Sequence, residues 1–218
     1  MNNAILITRP DHDTITNYFS YWSKLVIEAA TKHNIKPLDL VGIKATKKNV
    51  SSYIAKHNPK LLFFNGHGDE NRIAGFRDEV LIEVSQNIEL LRGKIVYVRS
   101  CDVAANLGKV SIQKGALAFI GYTKKYALCT STASQSRPLQ DRVAQLFLLP
   151  SNLIPIALIK GNTVKDAYRK SQNAMIRSIR FMLSTKASQE QRDALPYLWS
   201  NRKYQVLLGD EDAHLSRE

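Results

Sequence analysis

Two short motifs in this chain put a histidine and a cysteine where thiol chemistry needs them. Asn65-Gly66-His67-Gly68 follows the apolar run Leu61-Leu62-Phe63-Phe64, and Arg99-Ser100-Cys101-Asp102 follows Ile95-Val96-Tyr97-Val98. Runs of that length and composition are strand-like. Open α/β sheets hold their ligands in the crevice beyond the carboxyl ends of the strands, so the two motifs are expected to meet there. A thiol hydrolase requires a base near the sulfur, because the thiolate is the attacking form. His67 can take the Cys101 proton and later return it to a leaving amine. Gly68 would let the backbone approach a bound carbonyl, so that its N–H and that of Cys101 form an oxyanion hole. A helix expected over 103–114 would also favour negative charge on Cys101 through its first-turn amides.

Alone, each residue is ordinary. A cysteine after an apolar strand is a common small core residue, and a histidine between glycines commonly sits in a turn. Paired at two strand ends on one expected face, they define a candidate site. Ser100 is a poor rival nucleophile, since Val98-Arg99-Ser100-Cys101-Asp102 lacks the glycines of a nucleophile elbow. There is no Gly-Lys-Ser/Thr phosphate loop and no GxGxxG. His12, His33, His57, His67 and His214 do not fall at metal-ligand spacings with the cysteines. No cofactor and no metal are expected.

The elements that must position these residues alternate between strand and helix, the pattern of a mostly parallel sheet with helices on its faces. Ala4 to Thr8 reads as a strand. Ile15, Tyr18, Phe19, Trp22, Leu25, Val26, Ala29 and Ala30 then fall at helical spacing, with Asp11 or Asp13 capping the start. Leu38–Ile43 is a second strand, and Val50–Ala55 lies in a helix that stops before Asn58-Pro59. Residues 73–83 read as a small hairpin outside the main sheet, and 88–91 as a short helical turn closed by Gly93. Strands follow at 94–98 and 116–122. The polar stretch Lys124–Arg137 has no periodicity and reads as a loop, of a length that is often functional. Pro138 opens a helix over 139–149; 153–159 is either a strand or a buried helix. Thr163 to about Ser184 is a long amphipathic helix, and Tyr204–Leu208 a last strand. With no repeat and no linker, one domain spanning 1–218 is the economical organisation.

Composition bounds the rest. The 218 residues are 44% hydrophobic and 23% charged, ordinary for a soluble globular protein. The apolar runs are far shorter than the ~20 residues a membrane span needs, so no membrane association is expected. The N-terminus shows no basic export signal, and Cys101 and Cys129 make no disulfide framework, which together point to a reducing cytoplasm. A net charge of +12 fits either a lysine-rich solvated surface or attraction to a nucleoprotein. The basic residues are spread along the chain rather than gathered in a nucleic-acid motif.

At these residues the chain also resembles the caspase-like cysteine peptidases, especially the CHAT, gingipain and clostripain-like branch. That pattern is an apolar strand ending in His-Gly, a short hairpin, then an apolar strand ending in Ser-Cys or Ala-Cys. Residues 62–68 and 95–101 follow it in order and spacing. Gly161-Asn162-Thr163-Val164-Lys165-Asp166-Ala167 looks like the family's Gly-x-(Ser/Thr)-Val-x-(Glu/Asp)-Ala helix start. Trp199 with Tyr204-Gln205-Val206-Leu207-Leu208-Gly209-Asp210 looks like its closing strand. The likeness covers about residues 60 to 212. It implies a three-layer α/β sandwich with a six-stranded, mostly parallel sheet and a small hairpin after the His motif.

The resemblance further implies a cysteine endopeptidase with His67 and Cys101 as the dyad and Gly68 helping to bind the oxyanion. Its protein substrate would be cleaved under the control of a partner, a prodomain or self-cleavage, in a prokaryotic defence or cell-death setting. The family shapes its specificity pocket with the residue two before the nucleophile, here Arg99. Pointing into the pocket, Arg99 would select an acidic residue; in the opposite case Asp102 or Asp69 would neutralise Arg99 or select a basic residue. Tyr122, Thr123 and Ser131, around the 124–137 loop, are further substrate-binding candidates. The competing reading is a catalytically silent caspase-like module whose basic surface binds a nucleoprotein partner.

Overall fold

The computed structural model describes residues 4–215. In chain order the elements are β1 (Ala4–Arg9), α1 (Thr14–Lys32), β2 (Lys36–Val41), α2 (Lys47–His57), β3 (Leu61–Asn65), β4 (Arg72–Ala74), β5 (Val80–Glu83), β6 (Ile95–Arg99), α3 (Leu107–Gln113), β7 (Ala118–Tyr122), α4 (Arg142–Ile159), α5 (Val164–Met182), α6 (Gln189–Asp193), α7 (Leu195–Tyr204) and β8 (Gln205–Gly209). Six strands form one sheet in the order β2-β1-β3-β6-β7-β8. All pairs are parallel except β7 with β8. β4 and β5 make a separate antiparallel hairpin.

The central strands are apolar on both faces because both faces are covered. Side chains alternate between them. Ile5, Ile7, Phe63 and Tyr97 pack with Val26 of α1, Ile154 and Leu158 of α4, and Ala167 of α5. Leu6, Phe64 and Val98 pack on the other side with Val50 and Ile54 of α2, Leu107 of α3, and Ile73 and Leu81 of the hairpin. This is the three-layer α/β sandwich with a post-histidine hairpin that the sequence leads one to expect.

Several elements differ from expectation. β2 runs over Lys36–Val41. Pro138 lies in a short 3-10 turn (Pro138–Gln140) ahead of α4, which starts at Arg142 with Asp141 as its cap rather than being opened by the proline. The helix expected over 103–114 begins only at Leu107. Asp102 adopts a left-handed φ of 55°, and the Asp102 and Ala104 amides donate to Lys124 O and Tyr122 O at 3.3 and 3.0 Å. Those bonds hold 102–106 as a turn against the loop after β7. The ambiguous run 153–159 is helical and continues α4 across Pro150 and Pro155. By length and composition α4 could cross a membrane, but 67% of it is buried in the fold, which accounts for its apolar character. Residues 189–204, whose sequence gives no clear period, form α6 and α7.

Candidate active site

β3 and β6 lie side by side with Asn65 opposite Arg99. His67 and Cys101 are each two residues beyond that pair, so equal offsets carry both past the same end of the sheet. Both line one cavity of about 460 Å³, with Gly66, Ser100, Ile15, Phe19, Tyr126, Leu128 and Tyr197 among its walls. That volume suits a side chain or small ligand.

The backbone around His67 is fixed by the hairpin. His67 O accepts from the Ala74 amide at 2.9 Å, and the Asp69 amide donates to Arg72 O at 3.1 Å. Gly66 has φ 149°, and a Cβ there would stand 2.1 Å from Ala74 O, so only glycine allows this approach. A Cβ on Gly68 would meet Ser100 Oγ at 2.4 Å, which brings the two motifs into direct contact. Among the described residues, no protein acceptor takes the amide of Gly68 or of Cys101.

The ring of His67 is held by a residue the sequence suggested only as a helix cap. Asp13 does cap α1: its Oδ1 accepts the Thr16 amide at 2.8 Å, and Thr16 Oγ1 accepts the Asp13 amide at 3.1 Å. Its other oxygen, Oδ2, lies 2.6 Å from His67 Nε2. Burial works against the Asp13 carboxylate. The hydrogen bonds from Thr16 and His67, with the attraction of the His67 ring, outweigh it and hold the pKa below the usual carboxylate value. An ionised carboxylate can only accept, so Nε2 carries the proton facing Asp13, and in the neutral form of the ring Nδ1 holds the lone pair.

Cys101 is half-buried, with Sγ 3.9 Å from Tyr126 O. Burial raises its pKa, and the nearby Asp102 charge adds to this against the opposing hydrogen bond to Tyr126 and the Lys125 charge. The expected help from a following helix is absent, because that helix starts six residues later. The thiol is therefore neutral at rest and needs a base.

The other candidates separate. Arg99 is fully buried and lies beneath the cavity rather than in it. Its guanidinium donates to Asn65 Oδ1 (2.9 Å), Ser151 Oγ (3.0 Å), Asn152 Oδ1 (3.1 Å), Ser23 Oγ (3.0 Å) and Phe19 O (3.4 Å). That uses all its donors, leaving none for a substrate carboxylate. Neither acid neutralises it: Asp69 Oδ2 pairs with Arg72 Nε at 2.6 Å, and Asp102 lines a neighbouring depression with Asp69, Thr123 and Lys124. Tyr122 is buried, its hydroxyl accepting from Gln205 Nε2 at 3.0 Å. The Ser131 amide donates to Asp141 Oδ2 at 2.8 Å, and Ser131 lines a different cavity beside α4 and α6. The walls beside Cys101 are instead Phe19, Tyr126, Leu128 and Tyr197. Sequence spacing gives no metal motif, yet the fold gathers His12, His67 and Asp78.

The layered sheet and its strand order make this a caspase-like fold. Among solved structures, the Arg-specific cysteine proteinase gingipain R matches 97% of this chain with TM-score 0.62 and 11% identity. The complex of Porphyromonas gingivalis RgpB pro- and mature domains matches 97% of it with TM-score 0.54 and 12% identity. The chain covers 46% and 48% of those two chains, about half of each. No protein-family model and no curated protein matches the sequence.

Proposed function

We infer that this chain is a cysteine endopeptidase with Cys101 as nucleophile, His67 as base and Asp13 as the group that orients it. The observation that carries the reading is the 2.6 Å contact of His67 Nε2 with Asp13, which leaves Nδ1 as the proton acceptor in the cavity shared with Cys101. Nδ1 takes the thiol proton as Sγ attacks the scissile carbonyl carbon. The negative oxygen so formed accepts from the Gly68 and Cys101 amides. His67 then gives its proton to the departing amine, leaving an acyl-enzyme. Water, deprotonated by the same nitrogen, attacks the thioester and frees the acid and the thiol.

The cavity's apolar walls support a preference for an aliphatic or aromatic side chain before the cleaved bond, in place of the charged one that Arg99, Asp69 or Asp102 would have selected. A defence role is supported by the CHAT-like motifs alone. The reaction is tested with fluorogenic peptides and a peptidyl chloromethyl ketone. Cleavage and labelling of Cys101 are expected in the native chain and absent from His67→Ala, with cleavage absent from Cys101→Ala. Undiminished cleavage by Cys101→Ala would overturn the reading.

A further inference from the structure

Beside the dyad lies a histidine that the peptidase chemistry does not use. His12 follows β1, its side chain is 14% exposed, and among the described residues neither ring nitrogen has a hydrogen-bond partner although both are buried. Buried polar atoms left without partners are costly. Its Nε2 lies 3.5 Å from Asp13 Oδ2 and 3.6 Å from Asp78 Oδ1, too far for a good hydrogen bond to either. Phe76 meets the His12 ring edge-on at 5.6 Å, and His67 does so at 5.9 Å. Donor atoms of His12, His67 and Asp78 all fall within 4.8 Å of one another.

We propose that His12, His67, Asp78 and Asp13 form a zinc site that silences the base of the peptidase centre. Tetrahedral zinc with bonds of about 2.0–2.2 Å to nitrogen and oxygen places neighbouring donors roughly 3.4 Å apart. The two gaps from His12 already have that size. The His67–Asp13 contact, now 2.6 Å, must open by less than about 1 Å. Two imidazoles and two carboxylates suit a borderline dication and balance its charge. Calcium and magnesium favour six or more oxygens.

The inhibitory half of the proposal rests on the peptidase reading; the binding half does not. Zinc on Nε2 takes the place of the proton now shared with Asp13. A neutral His67 then holds its proton on Nδ1, with no lone pair left for the Cys101 proton. The enzyme stops without any change to the thiol.

Calorimetric titration of zinc chloride into the doubly substituted Cys101→Ala, Cys129→Ala chain separates this site from thiol ligation. One zinc per chain is expected, with binding at least tenfold weaker when His12→Ala or Asp78→Asn is added. Circular dichroism of the metal-free variants checks that they are folded. In the native chain, zinc should inhibit peptide cleavage and a chelator restore it, while Asp78→Asn keeps its metal-free rate and resists zinc. Absence of binding without the thiols, or equal affinity in folded His12→Ala and Asp78→Asn chains, overturns the site. Binding to the thiol-free protein in a chain that never cleaves peptides upholds the site and sinks the peptidase reading instead.

Discussion

Asp13 serves two elements at once, and its two oxygens can be tested separately. Oδ1 caps α1 through Thr16, while Oδ2 holds His67. Asp13→Asn can keep the cap with its amide oxygen but presents either an amide donor or a neutral, weaker acceptor to Nε2. Its kcat is expected to fall at least about 100-fold, the low end of what a positioned base supplies, with little loss of stability. Asp13→Ala should match that loss of rate and also lose about 1 kcal/mol of stability with the cap, seen as a lower denaturation midpoint. Equal kcat in Asp13→Asn and the native chain would remove Asp13 from the mechanism. At this scale the sequence disclosed half of the residue's role. A cap is local, set by a carboxylate three residues before Thr16. The contact with His67 spans 54 positions and exists only once β1 and β3 are paired. His12 and Asp78 are not legible as a group for the same reason: only the folded chain brings them beside His67.

Strand parity decides what Arg99 does. Ile95 and Tyr97 face α1 and α4, whereas Val96 and Val98 face α2 and α3. Arg99 follows the odd positions into the layer under α1 and α4, where its charge lies over the rings of Phe19 and Phe63 at 4.7 and 5.2 Å. Asn65, opposite it on β3, faces the same way and accepts its Nε–H. This alternation was legible in the sequence. The resemblance that puts this position in the specificity pocket points the other way. Arg99→Met leaves the Asn65 and Asn152 carbonyl oxygens without their donor, a loss of about 2–4 kcal/mol by urea denaturation. The ratio of kcat/KM between peptides carrying aspartate and leucine before the cleaved bond is expected to stay constant. A tenfold change in that ratio would return Arg99 to the pocket. The apolar strands and the long helices were likewise legible because burial imposes a period. The start of α3 was not, since a left-handed Asp102 and bonds to a distant loop ended the expected helix early.

For the whole molecule, composition speaks to approach and geometry to selection. A net charge of +12 would, as a field over the surface, draw acidic chains toward it without saying where they bind. The cavity beside Cys101 is walled by Phe19, Tyr126, Leu128 and Tyr197, so under the proposed peptidase reading the residue before the cleaved bond would gain from burial, which salt barely screens. The two contributions therefore separate with ionic strength. A peptide with leucine before the cleaved bond and glutamates farther out should be drawn in by the field and held by the cavity. Its kcat/KM is expected to fall about 3- to 10-fold as salt rises from about 0.05 to 0.5 M, over which the screening length shrinks several-fold. The same peptide with serines in place of the glutamates should change less than about twofold, because its binding draws on apolar area. Initial rates for the pair across a salt series make the measurement. Parallel curves would mean that the basic surface plays no part in capture, and that the charge apparent in the composition serves solvation alone.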